Sequence, residues 1–220
     1  MKILELHFDY LSPFAYLASI EVPAIAARHG AELVLRPVLF PALLDHFGQR
    51  GPAEIPPKAL HAFRAALRHA LPRGVPIHVP RYHPFSSLLA LRTTLAASEA
   101  DRGQVMRALY DLGWARGGDL ADAGEIAGAL GQAGLPGGEL VARASAPEVK
   151  ALLRSETERA IGRGVFGVPT VIVEDEVYWG VDQLEHVERH LAGGNPLNHV
   201  DFASLLPRGV GAWRPGAGAR

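Results

Sequence analysis

Leu4-Glu5-Leu6-His7-Phe8-Asp9-Tyr10-Leu11-Ser12-Pro13-Phe14-Ala15-Tyr16-Leu17 reads as a short strand, a tight loop and the start of a helix. Leu4, Leu6 and Phe8 alternate with Glu5 and His7, the period of a strand with one buried face. Asp9 to Pro13 holds turn residues. From Tyr16 onward, Leu17, Ile20, Ala24 and Ile25 recur at helical spacing. Ser12-Pro13 is a helix-start signal, serine at the cap and proline in the first turn. The backbone N–H groups that open such a helix lack intrahelical partners and favour an anion. Ser12 therefore has a plain reading as a helix cap and a functional one at an anion site.

Working outward, His29-Gly30 stops that helix. Leu33 to Phe40 is apolar enough for a buried second strand, and strand–helix–strand predicts a right-handed parallel unit. Pro37 makes that strand an edge or irregular at its end. Residues 48 to 60 are rich in Gly and Pro and predict a loop, followed by a helix over about 59–71. A second proline-rich loop runs from Pro72 to Pro84. Helical patterns then cover about 86–99, 102–116, 122–132, 137–144 and 147–163. The strand signal returns with Pro169-Thr170-Val171-Ile172-Val173, a turn at Glu174-Asp175-Glu176, and Val177-Tyr178-Trp179, which predicts a hairpin. A last helix opens near Asp182 and ends before Gly193-Gly194. The tail from Asn195 to Arg220 reads as an irregular strap with apolar anchors at Phe202, Leu205 and Trp213 and a disordered end. This order predicts an α/β protein: a thioredoxin-like fold, residues 1–41 and 163–194, interrupted by a helical insertion domain over 42–162, with a C-terminal extension over 195–220.

The composition narrows the chemistry. The net charge of -1, from 22 basic and 23 acidic residues, gives no basic face for nucleic acid or an anionic membrane. No apolar run is long enough to span a bilayer. The first strand starts at Lys2 or Ile3 and leaves no room for a signal peptide, so a cytoplasmic location is expected. Cysteine is absent, which removes disulfides, thiolate metal sites and any thiol chemistry of the protein's own. His186 and His190 stand four apart on the last helix, the spacing of a shared metal, but no third ligand matches. They read as a solvated helix face, and no metal is expected.

Phe8-Asp9-Tyr10-Leu11-Ser12-Pro13-Phe14-Ala15-Tyr16-Leu17-Ala18 resembles the opening motif of the 2-hydroxychromene-2-carboxylate isomerases. Phe166-Gly167-Val168-Pro169-Thr170 with Tyr178-Trp179-Gly180-Val181-Asp182 resembles their closing motif. Gly51 to Lys58 and His83-Pro84-Phe85 look like further family stretches, so the resemblance runs from residue 8 to 182. The wider set includes kappa-class glutathione transferases and disulfide oxidoreductases of the same fold. The resemblance implies glutathione as cofactor and a small aromatic carboxylate as substrate, with ring opening to a trans-o-hydroxybenzylidenepyruvate in aromatic compound degradation. A homodimer is compatible with it. Ser12 stands where redox relatives carry their first active-site cysteine, so the thiolate must come from the ligand.

The resemblance also implies roles. Ser12 is the expected catalytic residue, donating a hydrogen bond to the glutathione thiolate. Val168-Pro169, with a cis bond facing Ser12, offers backbone groups to the glutathione peptide. Asp182, an N-cap on a plain reading, contacts the γ-glutamyl end. Relatives often follow it with Arg, where this chain has Gln183. Lys58, in a loop, attracts a carboxylate. Tyr10, Phe14, Phe85 and Trp179 are candidates for an aromatic substrate pocket, and each also reads as core. Ser86-Ser87 replace the Asn-Pro usual after such a His-Pro-Phe stretch. Two other classes stay open: a kappa-class-like glutathione transferase, and a non-catalytic thiol- or peptide-binding module.

Overall fold

The computed structural model describes residues 1–80, 82–201 and 204. Strand β1 (Ile3–Phe8), helix α1 (Pro13–His29) and strand β2 (Glu32–Pro37) form the first unit. Seven helices follow: α2 (Phe40–His46), α3 (Pro56–Ala70), α4 (Leu88–Ala96), α5 (Glu99–Tyr110), α6 (Ala123–Gln132), α7 (Gly137–Arg143) and α8 (Pro147–Gly162). A π-helical turn, Asp111–Ala115, continues α5. Strands β3 (Thr170–Val173) and β4 (Glu176–Trp179) form the expected hairpin, and α9 (Leu184–Leu191) closes the order.

The sheet order is β2-β1-β3-β4. β1 pairs parallel with β2 and antiparallel with β3, so strands from the two ends of the sequence share one sheet. β2 is an edge strand and ends at Pro37, where a missing N–H breaks no internal ladder. The register Leu4↔Val173 and Leu6↔Val171 puts these side chains on one face. There they join Leu17, Val22 and Ile25 of α1 and Leu184 and Val187 of α9 in the main core. Glu5↔Ile172 and His7↔Thr170 occupy the other face. Ile172 packs there with Ala160 of α8, Val38 and Leu43.

That second face also holds a partly buried cluster of charge. Arg36 donates to Glu5 at 3.0 Å and lies 3.7 Å from Glu156, and Arg163 lies 3.5 Å from Glu5. His7 is 1% exposed among them. Burial, then the nearby guanidinium groups of Arg36, Arg159 and Arg163, push its pKa down to about 3. The imidazole is therefore neutral at pH 7.

Three local expectations need correction. The strand expected to reach Phe40 ends at Pro37, and Phe40 opens α2 with Pro41 in its first turn. The helix expected from residue 59 starts at Pro56, because first-turn positions need no amide hydrogen. His190, expected on a solvated face, is buried, its Nδ1 2.9 Å from the Tyr178 hydroxyl, while His186 is exposed. Asn195 caps a 3-10 turn, Pro196–His199, at the start of the tail. The anchors expected at Phe202, Leu205 and Trp213, and the disordered end, lie outside the described residues. No described helix is long and apolar enough to cross a membrane.

Candidate active site

Ser12 caps α1 as its sequence predicts: its Oγ accepts from the Ala15 N–H at 3.1 Å and Pro13 fills the first helical position. The same hydroxyl donates to the Val168 carbonyl at 3.3 Å, across 156 positions of sequence. The Val168–Pro169 bond is cis, as the resemblance implies, and His83–Pro84 is cis as well. Among the described residues, the N–H groups of Phe14 and Val168 have no hydrogen-bond partner. One hydroxyl, the N-terminal end of a 17-residue helix and two free amide donors thus meet at one place.

Asp9 holds the turn that leads to Ser12. Its Oδ1 accepts from the Leu11 N–H at 3.0 Å and its Oδ2 from the Phe40 N–H at 2.9 Å, tying the turn to α2. Burial raises its pKa to about 6, against the opposing influence of the Ser87 hydroxyl nearby and of these two amides.

The other side of the turn is held by the helical insertion. The Tyr110 hydroxyl donates to the Asp9 carbonyl at 3.2 Å, and Trp114 Nε1 donates to the Tyr10 carbonyl at 2.7 Å. His83 Nε2 lies 2.8 Å from the Leu11 carbonyl. A carbonyl only accepts, so this ring nitrogen carries the hydrogen. His83 sits in an aromatic nest, with ring centroids 5.1 Å from Phe63, 6.0 Å from Phe85 and 5.9 Å from Trp114. Burial lowers its pKa below the ordinary histidine value.

The structure brings together Ser12, Val168 and Pro169. Phe14 and Phe85 are half-buried, and Trp179 is 52% exposed, packed edge-on against Phe166 at 5.1 Å. Tyr10 is completely buried. Its hydroxyl is 2.7 Å from Thr94 Oγ1 and its ring packs on Phe8 and Tyr110, so it serves the core. Lys58, expected in a loop, is exposed in the first turn of α3. Asp182, expected as an N-cap, lies in a 3-10 turn, Val181–Gln183, and Gln183 is the cap of α9. The exposed Asp182 carboxylate accepts from the Gln183 amide at 3.0 Å. It borders a groove of about 580 Å³ between α1, α3 and α9, whose lining includes Arg28 and Arg73 and does not include Ser12. Asp9, Tyr110 and Trp114 were not legible as site residues. Their only sequence signals are a turn position and helical periodicity.

A mixed four-stranded sheet, a helix opening beside a cis-proline strand and a helical insertion define a thioredoxin-type protein, here with serine at the helix start. The chain belongs to the DsbA-like thioredoxin domain family, whose model matches residues 3–192. Within it, the chain is 31% identical over 193 residues to the 2-hydroxychromene-2-carboxylate isomerase of Sphingobium xenophagum, covering 86% of this chain and 98% of that one. It is 27% identical over 209 residues to glutathione S-transferase kappa 1 of Homo sapiens, covering 87% and 91%. A solved structure of 2-hydroxychromene-2-carboxylate isomerase superposes with a TM-score of 0.80 at 22% identity, covering 93% of this chain and all of that chain.

Proposed function

We propose that the protein is a glutathione-dependent isomerase of a 2-hydroxychromene-2-carboxylate-type substrate. The observation that carries this reading is the Ser12 hydroxyl against the Val168 carbonyl, beside two partnerless amides, in a chain without cysteine. The arrangement fits a thiol peptide: an anion-stabilising helix start next to a short stretch of unpaired backbone. Bound there, glutathione supplies a thiolate nucleophile that the protein lacks.

The chain's own residues do the rest. Ser12 turns its hydroxyl hydrogen from the long 3.3 Å contact with Val168 toward the sulfur while still capping α1 through its lone pair. The Phe14 N–H adds a second donor at the same point. The Val168 N–H and C=O pair with the peptide backbone in strand fashion. Asp182 meets the γ-glutamyl amino group, and Lys58 attracts a carboxylate from the exposed start of α3. Phe14, Phe85 and Trp179 supply apolar surface for a bicyclic ring system.

A titration with glutathione followed by turnover assays on chromene carboxylates tests this. The expected result is isomer formation that requires glutathione and leaves its concentration unchanged. Progressive loss of glutathione into an adduct would favour the second reading, a kappa-class-like transferase, which the human relative supports. Binding without turnover of any electrophile would leave a non-catalytic thiol-binding module.

A further inference from the structure

The three carbonyl oxygens that precede Ser12 in the chain each accept from a side chain of the helical insertion, and that of Asp9 also accepts from the Ser12 N–H at 3.1 Å. Asp9, Tyr10 and Leu11 each give their oxygen to a different side chain there: Tyr110 at 3.2 Å, Trp114 at 2.7 Å and His83 at 2.8 Å. The donors come from 72 to 104 positions away. They sit on two supports, since the π-helical turn continues α5. Tyr110 ends α5, Trp114 belongs to the π-helical turn, and His83 belongs to the loop before α4. The π-helical turn is itself fixed, since the Trp114 carbonyl accepts from the His78 N–H at 2.6 Å.

A peptide unit is a dipole, so fixing a carbonyl also fixes its environment electrostatically. An oxygen left free at this turn carries partial negative charge and lies next to the point where an anion is wanted. The insertion's donors offset the charge of all three, and the Asp9 oxygen is shared with the Ser12 N–H inside the turn. We propose that His83, with Trp114 and Tyr110, forms a carbonyl clamp that sets the anion affinity of the Ser12 site, and that His83 is its positioning residue on the accessible side. His83 acts through Leu11 and touches neither thiol nor substrate in this role. The inference rests on the reading that a thiolate binds at Ser12, but the clamp exists without the ligand.

The test uses the full-length protein with His83→Phe, which keeps an aromatic ring among Phe63, Phe85 and Trp114 and removes the donor. His83→Gln restores an N–H donor. Trp114→Phe removes the neighbouring donor independently and keeps the experiment decisive if His83→Phe does not fold. Two readouts are taken. The first is amide hydrogen exchange at Ala15 and Tyr16 in the protein alone, whose bonds to Ser12 depend on the turn. Exchange there should rise about tenfold or more in His83→Phe and return toward wild type in His83→Gln. The second is the thiol pKa of bound glutathione, read from thiolate absorbance in the ultraviolet. It should rise in His83→Phe and Trp114→Phe, because each freed carbonyl places partial negative charge beside the thiolate. Unchanged exchange in both donor-deleting variants overturns the clamp. A wild-type protein that binds no thiolate overturns the proposed function, and the exchange measurement still decides the clamp.

Discussion

At Ser12 the proposed function adds thiolate binding to the capping of α1, and substitution tests both. Ser12→Ala removes the N-cap, costing about 1 kcal/mol of stability. On the proposed function it also removes a charge-assisted hydrogen bond to the thiolate, worth about 1.5–3 kcal/mol. Thermal melting should therefore shift slightly, while turnover at saturating glutathione falls roughly tenfold to a hundredfold; full activity would end the central role given to Ser12. Ser12→Cys probes the same electrostatics without ligand. A thiol there should titrate below the ordinary cysteine value of about 8.5, as cysteines at helix N-termini do. The pH dependence of alkylation measures it, and an ordinary value would mean the helix start does not favour anions.

His7 and Asp9 make opposite contributions to stability against pH. The folded pKa of His7 is depressed to about 3, so its contribution is complete above 6.5 and lost as pH falls below that. Asp9 is raised to about 6, so its contribution is greatest below 3.8 and lost as pH rises through 6. Between about pH 4 and 6 the two largely offset. His7→Gln should leave only the Asp9 effect. Its stability relative to wild type should then rise by about 1.4 kcal/mol per unit as pH is lowered from 6 to 4. Urea unfolding at three pH values checks this, and a constant difference would mean that His7 protonates normally in the folded protein.

Among elements, the strictest constraint lies between α6 and α7. A Cβ on Gly137 would stand 2.2 Å from the Ala127 carbonyl oxygen, a backbone atom that cannot swing aside. Gly137→Ala should force the helices apart and destabilise by about 1–3 kcal/mol, the range of overpacked cores, seen as a lowered denaturant midpoint. A neutral outcome would mean that α7 shifts freely. Most elements were legible because their period and punctuation agree: Ser12-Pro13 at the start of α1, Gly30 at its end, the β-branched run of β3. α2 was hidden because Leu39-Phe40 is equally apolar at a strand end and at a helix start. His190 was misread because i, i+4 spacing does not reveal which side of an isolated helix meets Tyr178.

For the whole molecule, the two ends of the sheet were readable from their order, and the meeting of Ser12 with Val168-Pro169 came from the family resemblance. The rest of the site was not. Tyr10 looked as eligible for a pocket as Phe14, because alternation ends at the turn and nothing local tells a buried ring from an exposed one. Of the three donors to carbonyls 9–11, Tyr110 and Trp114 lie in a segment whose periodicity describes only its own helix, and His83 lies in a proline-rich loop with no periodicity at all. Tertiary placement of a side chain on a distant backbone atom leaves no mark in local pattern.

The position of β1 bears on how the chain is made. It is an interior strand, yet its antiparallel neighbour β3, paired at Leu6↔Val171, leaves the ribosome long after β1 and β2, with only β4 following it among the strands. At roughly 5–20 residues per second, the gap between those two positions takes on the order of ten to thirty seconds to synthesise. Through that interval β1 has β2 on one side and an open row of N–H and C=O groups on the other, the kind of edge to which other chains add. A nascent chain halted before Thr170 should therefore be held by chaperones or aggregate, while one extended past Trp179 should become protease-resistant. Limited proteolysis of ribosome-stalled chains of graded length would locate that change, and resistance already present before Thr170 emerges would show that the insertion protects the open edge by itself.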